Sequence, residues 1–109
     1  MGRKKVNYKP SIFDGQDDME CFACTLEERH EKCSTSGVID RHEIFYGDAY
    51  RWKSIKYSLW VNLCRHCHDK VHFGKDHSLD LKLKELGQRK FEEIYGHDKF
   101  KEEFDKNWL

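Results

Sequence analysis

Leu63-Cys64-Arg65-His66-Cys67-His68-Asp69-Lys70-Val71-His72 is the stretch on which the reading of this chain turns. Cys64 and Cys67 form a Cys-x-x-Cys pair, and His68 and His72 follow, four residues apart. Residues spaced by four lie one above the other on the same face of a helix. One short segment therefore offers two thiolates to one metal and two imidazoles to a second site. The remaining ligands must come from elsewhere in the chain.

A second Cys-x-x-Cys pair stands upstream at Cys21 and Cys24. Closed zinc sites take four thiolate or imidazole ligands in a tetrahedron. Cys21, Cys24, Cys64 and Cys67 meet that need, and a structural zinc on them would close a long loop of chain. A local alternative of Cys21, Cys24, His30 and Cys33 is easier to close but strands Cys64 and Cys67, so ligand accounting favours the shared site. Cys64 to His68 also fits the Cys-x-x-Cys-His pattern of c-type haem attachment. That reading needs export and an axial ligand, whereas the amino terminus reads as no signal peptide and Met1 and Met19 are the only methionines. A thioredoxin-like dithiol lacks the βαβ pattern it needs around either pair.

A length of 109 residues bounds the chain to one domain with a small core. Apolar residues make up 38% and charged residues 37%, a thin hydrophobic content for which a metal staple is expected. The net charge is zero with histidine neutral, so any nucleic-acid contact must use local patches. No apolar run approaches the ~20 residues of a membrane span, and no membrane partner is expected. The chain reads as cytoplasmic, where its five cysteines point to metal or reactive thiols rather than disulfides.

Residues 1–18 read as a flexible basic arm and 19–109 as a single domain. Val38–Tyr46 is rich in β-branched and aromatic residues and reads as a strand stopped by Gly47. Asp48–Ser58 interleaves Arg51, Lys53 and Lys56 with Tyr50, Trp52 and Tyr57. It reads as a solvated loop with its aromatics on the core, although the same mixture suits phosphate contacts with stacking. Leu59–Leu63 reads as a second strand, followed by a helix from near Cys67 to Gly74. Ser78 is expected to cap a further helix with Asp80 in its first turn, an apolar stripe of Leu79, Leu83, Leu86 and Ile94, and Gly96 at its end. Asp98 is expected to cap a last helix bearing Phe100 and Phe104, with Trp108 beyond. The fold class is α+β, with the last helices covering the core.

The first strand carries His42 and Glu43, and the shared zinc would bring it alongside His68 and His72. Three imidazoles and a carboxylate suit a divalent transition metal with an open position. The plain alternative is that these are ordinary histidines, since the chain has seven.

The ordered set of a Cys-x-x-Cys knuckle, a strand with His42 and Glu43, a second strand, then Cys-x-x-Cys-His and a histidine four residues on resembles the HNH endonucleases of the ββα-metal type. The likeness extends to small HNH proteins of bacteriophages and prophages through Arg41–Gly47, Leu63–His68, Val71–Phe73 and Phe91–Gly96, and covers roughly residues 21–109. It implies a zinc-stapled ββα-metal, treble-clef-like core, metal-dependent hydrolysis of DNA phosphodiester bonds, and a catalytic divalent ion (Mg, Mn, Ni or Zn). His68 and His72 match the ligands on the helix. His42 and Glu43 match a strand pair that the family usually fills with His-His or Asp-His, the first a metal ligand and the second the general base. Glu43 departs from that pattern; His42 as ligand and Glu43 as base is the preferred assignment, and the reverse stays open. Asn62 lies closer to the second cysteine pair than the middle asparagine for which the family is named. Arg41, Arg51, Lys53 and Lys56 are the expected DNA contacts. The rival reading, from another class, is a non-catalytic zinc module that binds nucleic acid or a phage packaging or recombination protein.

Overall fold

Two short strands carry the candidate site. β1 (Ile39–Glu43) and β2 (Trp60–Cys64) pair antiparallel, with Ile39 opposite Cys64, His42 opposite Val61 and Glu43 opposite Trp60. The computed structural model describes residues 10–13, 20–26, 39–74 and 77–109. Among these, the helices are α1 (Phe22–Leu26) before the sheet, α2 (Arg51–Lys56) between its strands, then α3 (Arg65–Phe73), α4 (Ser78–Tyr95) and α5 (His97–Phe104). The fold is a small α+β arrangement around one two-stranded sheet. β2 is buried at every position, with α1 and α3 packed against it.

The first strand is shorter than its composition predicts, ending at Glu43 instead of Tyr46. The reason lies in where the backbone hydrogen bonds go. Ile44 N–H still reaches Leu59 O at 3.0 Å. Phe45 instead donates to Ser54 Oγ at 3.0 Å, and the Ser54 hydroxyl donates back to Phe45 O at 2.7 Å. Ser54 belongs to α2, which occupies the stretch expected to be a loop. Tyr50 and Tyr57 pack on the core as expected, whereas Trp52 is 58% exposed. Because a hydrogen-bonded serine sits at the centre of the buried face, no apolar helical period marks α2 in the sequence.

β2 lies one residue later than expected and hands over directly to α3, which starts at Arg65 rather than near Cys67. Cys64 is the extended N-cap, with φ −67 and ψ 163. Ser78 is the first residue of α4 and not its cap; that place belongs to His77. Likewise Gly96 precedes α5, leaving Asp98 in the first turn.

The buried face of α4 holds Leu79 and Leu83 as expected, then Gly87, Gln88 and Phe91. Ile94, assigned to that stripe, is 56% exposed. The folding-back of α5 decides this. The Phe91 ring packs 5.5 Å from Phe100 and 5.9 Å from Phe104, while the buried Gln88 amide receives Trp108 N–H and donates to Asn107, both at 2.7 Å. A Cβ on Gly87 would stand 3.1 Å from Ile44 Cγ2 and 3.3 Å from Phe45, so a glycine there lets α4 lie close against the segment after β1. Gly96, at φ +91, ends α4 with its N–H on Glu92 O at 2.9 Å.

Of the amino-terminal arm, Ile12 and Phe13 pack against the core, Ile12 N–H bonding Ser58 O at 2.8 Å. The remainder of the arm, apart from Pro10 and Ser11, lies outside the described residues, as do His30 and Cys33. Among the described residues, no helix is long and apolar enough to cross a membrane.

Candidate metal centre

Cys21 stands just before α1 and Cys24 on it, Cys64 ends β2, and Cys67 lies in the first turn of α3. All four are free thiols at 3% exposure or less. Cys24 Sγ is 3.6 Å from Cys67 Sγ and 4.0 Å from Cys64 Sγ, and all four sulfurs lie within 4.8 Å of one another. Sulfurs at the corners of a tetrahedron with Zn–S of about 2.3 Å would be roughly 3.8 Å apart. The four cysteines can therefore hold a metal ion such as zinc. Hydrogen bonding from Cys67 brings the Cys21 thiol down to about 4, and the Cys67 thiol is pushed up in return. A thiolate is thus favoured on Cys21 and opposed on Cys67.

A second group forms on the opposite strand and the same helix. His42 of β1 is 2% exposed, and its ring centroid lies 5.4 Å from His68 and 5.3 Å from His72, which are 4.8 Å from each other on α3. One ligand atom from each comes within 4.8 Å of the others. His42 Nε2 is buried without a hydrogen-bond partner. Burial above all, then the charges of His68, His72 and Lys84, push the His42 imidazole down to about 3. His72 is also lowered, first by burial and then by His68. The three imidazoles, one of them with a buried and unpartnered nitrogen, are thus placed so that they could hold a metal ion.

Carboxylates and rings surround this triad. Asp40 Oδ2 lies 3.0 Å from His68 Nδ1 and Asp40 Oδ1 lies 3.3 Å from Arg65. With the His68 proton on Nδ1, its Nε2 is the nitrogen left for a metal. Glu43 Oε1 accepts from Arg51 Nε at 3.0 Å. The Tyr46 ring sits 4.9 Å from His72, and its hydroxyl donates to Asp80 Oδ2 at 2.9 Å. Burial, then Asp80, push Tyr46 up to about 12.

A cavity of about 350 Å³ opens over the three histidines, and Arg41, Glu43, Tyr46, Gly47 and Arg51 line the rest of it. His42 and Glu43 thus reach one cavity although consecutive strand residues ordinarily face opposite sides. The sheet register stays regular through this stretch, with Glu43 still paired to Trp60. Of the four basic residues singled out in the sequence, Arg41 and Arg51 line this cavity, and Lys53 and Lys56 are not among its lining residues. Lys53 Nζ bonds the backbone oxygen of Glu103, and Lys56 Nζ lies 5.2 Å over the Tyr57 ring. Asp40, Tyr46 and Asp80 were not expected at this site. Asp40 alone had a signal, standing two residues before His42 on the same strand face.

Comparison with known proteins found no matching family model, no matching curated protein and no matching solved structure.

Proposed function

We propose that this chain is a small HNH-type endonuclease that hydrolyses phosphodiester bonds in DNA. On this reading β1, β2 and α3 form a ββα-metal core, zinc on Cys21, Cys24, Cys64 and Cys67 is structural, and His42, His68 and His72 hold the catalytic divalent ion. The observation that carries the proposal is the buried, partnerless Nε2 of His42 facing two imidazoles from α3 in an open cavity.

A divalent ion bound there supplies Lewis acidity toward a phosphate oxygen and toward charge on the leaving oxygen. The side chains supply the rest. Glu43 takes the proton from the attacking water as the new P–O bond forms and the bond to the leaving ester oxygen breaks. Arg51, 3.0 Å from Glu43, holds that carboxylate and presents a cation to the phosphate, and exposed Arg41 offers a second. Asp40 orients His68.

The ion pair to Arg51 also suits the rival reading, because it gives the buried Glu43 a structural partner that needs no proton transfer to explain it. On that reading the chain is a zinc module that binds nucleic acid without cutting it. Supercoiled plasmid incubated with Mg, Mn, Ni or Zn, with and without chelator, separates the two. Nicked or linear product that needs the added ion supports the nuclease; DNA binding without product under every ion supports the module.

A further inference from the structure

Tyr46 touches two of the three imidazoles, one from each side of the cluster. Its ring centroid is 5.6 Å from that of His42 on β1 and 4.9 Å from that of His72 on α3. Its hydroxyl donates to Asp80 Oδ2 at 2.9 Å, and Lys84 Nζ, one turn further along α4, donates to the same oxygen at 3.1 Å. Lys84 Nζ also lies 4.5 Å over the Tyr46 ring, so the three side chains close a loop. A tyrosine that merely fills space needs one acceptor for its hydroxyl. Asp80 is more than that: it is 7% exposed, with Oδ1 buried and partnerless. A buried carboxylate oxygen without a partner carries a desolvation cost, so its retention calls for an explanation beyond packing.

We propose that Tyr46, anchored to α4 by Asp80 and Lys84, is a positioning residue that fixes the angle between His42 and His72 and so sets how tightly the three imidazoles grip a divalent ion. This rests on reading those histidines as an ion site. Rotation about the last side-chain bond of histidine is soft, so a wall against both rings restricts it and pre-organises the ligands. α4 then belongs to the site and does more than cover the core.

The test is titration of the zinc-loaded chain with Co²⁺, followed by its visible absorption bands, whose energy and intensity report ligand geometry. Tyr46→Phe keeps the wall and frees the anchor; Tyr46→Leu removes both; Lys84→Met loosens the anchor from α4. Tyr46→Leu should weaken Co²⁺ binding by about 10- to 100-fold, the range for lost support around metal ligands. Tyr46→Phe and Lys84→Met should weaken it less, with shifted bands and with zinc content and a cooperative melt retained. Wild-type affinity and bands in all three variants would overturn the proposal. If Tyr46→Leu does not fold, the other two decide by the same criterion. If wild-type binding survives in both His68→Ala and His72→Ala, the ion-site reading itself fails, and the positioning role with it.

Discussion

Cys24 Sγ lies 3.6 Å from Cys67 Sγ although 43 residues separate the two in the chain. The contact ties α1 to α3 across β2 and holds the strand–helix corner from which His68 and His72 project. Structural zinc contributes an apparent ~10–16 kcal/mol at such sites, as much as the ~5–15 kcal/mol of net stability of a whole domain. Cys64→Ser should therefore lose both its zinc and most of its folded structure, measured by metal content after gel filtration and by a thermal melt. Cys33→Ser should be close to neutral. Tight zinc and a cooperative melt in Cys64→Ser would rule out the shared site, and zinc loss in Cys33→Ser would favour the local one.

His68→Ala and His72→Ala should behave oppositely, keeping zinc and a cooperative melt while plasmid cleavage falls by at least about 100-fold. On the proposed reading, each removes one of the three imidazoles that would hold the divalent ion. Cleavage at wild-type rate by both variants would return them to ordinary histidines.

The two clusters were legible because each contains a short pair of one residue type at ligand spacing: Cys21 with Cys24, Cys64 with Cys67, and His68 with His72. Asp40 could have been read from its alternation with His42. Tyr46 and Asp80 could not, being 34 residues apart. They meet because Gly87 lets α4 approach Ile44 and Phe45, a close approach that no periodicity announces. α2 escaped for a related reason, since its buried centre is Ser54. Ile94 shows the limit of helical stripes: the pattern identifies an apolar face, but α5 determines how far along α4 that face stays covered.

Alkaline pH should test the Tyr46 anchor. An unfolded tyrosine ionises near ~10, whereas burial and Asp80 push Tyr46 up to about 12 in the folded chain. Below pH ~10 it is neutral in both states and its stabilising contribution is intact; above that, the unfolded chain loses the proton first, so stability falls as pH rises. The stability gap between wild type and Tyr46→Phe in urea should be constant from pH 7 to 9 and narrow toward pH 12. A gap that widens there would contradict the assignment.

Cavity cations and outer cations should separate in DNA binding. Arg41→Ala and Arg51→Ala should each lower the slope of log affinity against log salt by about 1 on a short duplex, as a lost phosphate contact does. Lys53→Ala should leave that slope alone and lower the melting temperature, because its ammonium is bonded to Glu103 O at the end of α5. An equal loss of slope in Lys53→Ala would place the DNA along α2 instead.

On the proposed reading, the assignment of His42 as ligand and Glu43 as base follows from what each side chain faces. His42 faces His68 and His72 with a buried, partnerless Nε2. A lone pair committed to an ion cannot also accept a proton. Glu43 lines the same cavity outside the imidazole triad and is held by Arg51 at 3.0 Å. Glu43→Gln preserves shape and polarity while removing the basic oxygen, so it should bind the divalent ion as wild type does and lose turnover by about 100-fold or more, within the ~10²–10⁴ that general bases contribute. His42→Ala should lose ion affinity and turnover together, since it removes a ligand. The discriminating pair of measurements is Co²⁺ affinity and single-turnover cleavage rate on both variants. If Glu43→Gln cuts DNA normally while His42→Ala still binds the ion but cannot cut, the roles are reversed, and the base is the buried imidazole.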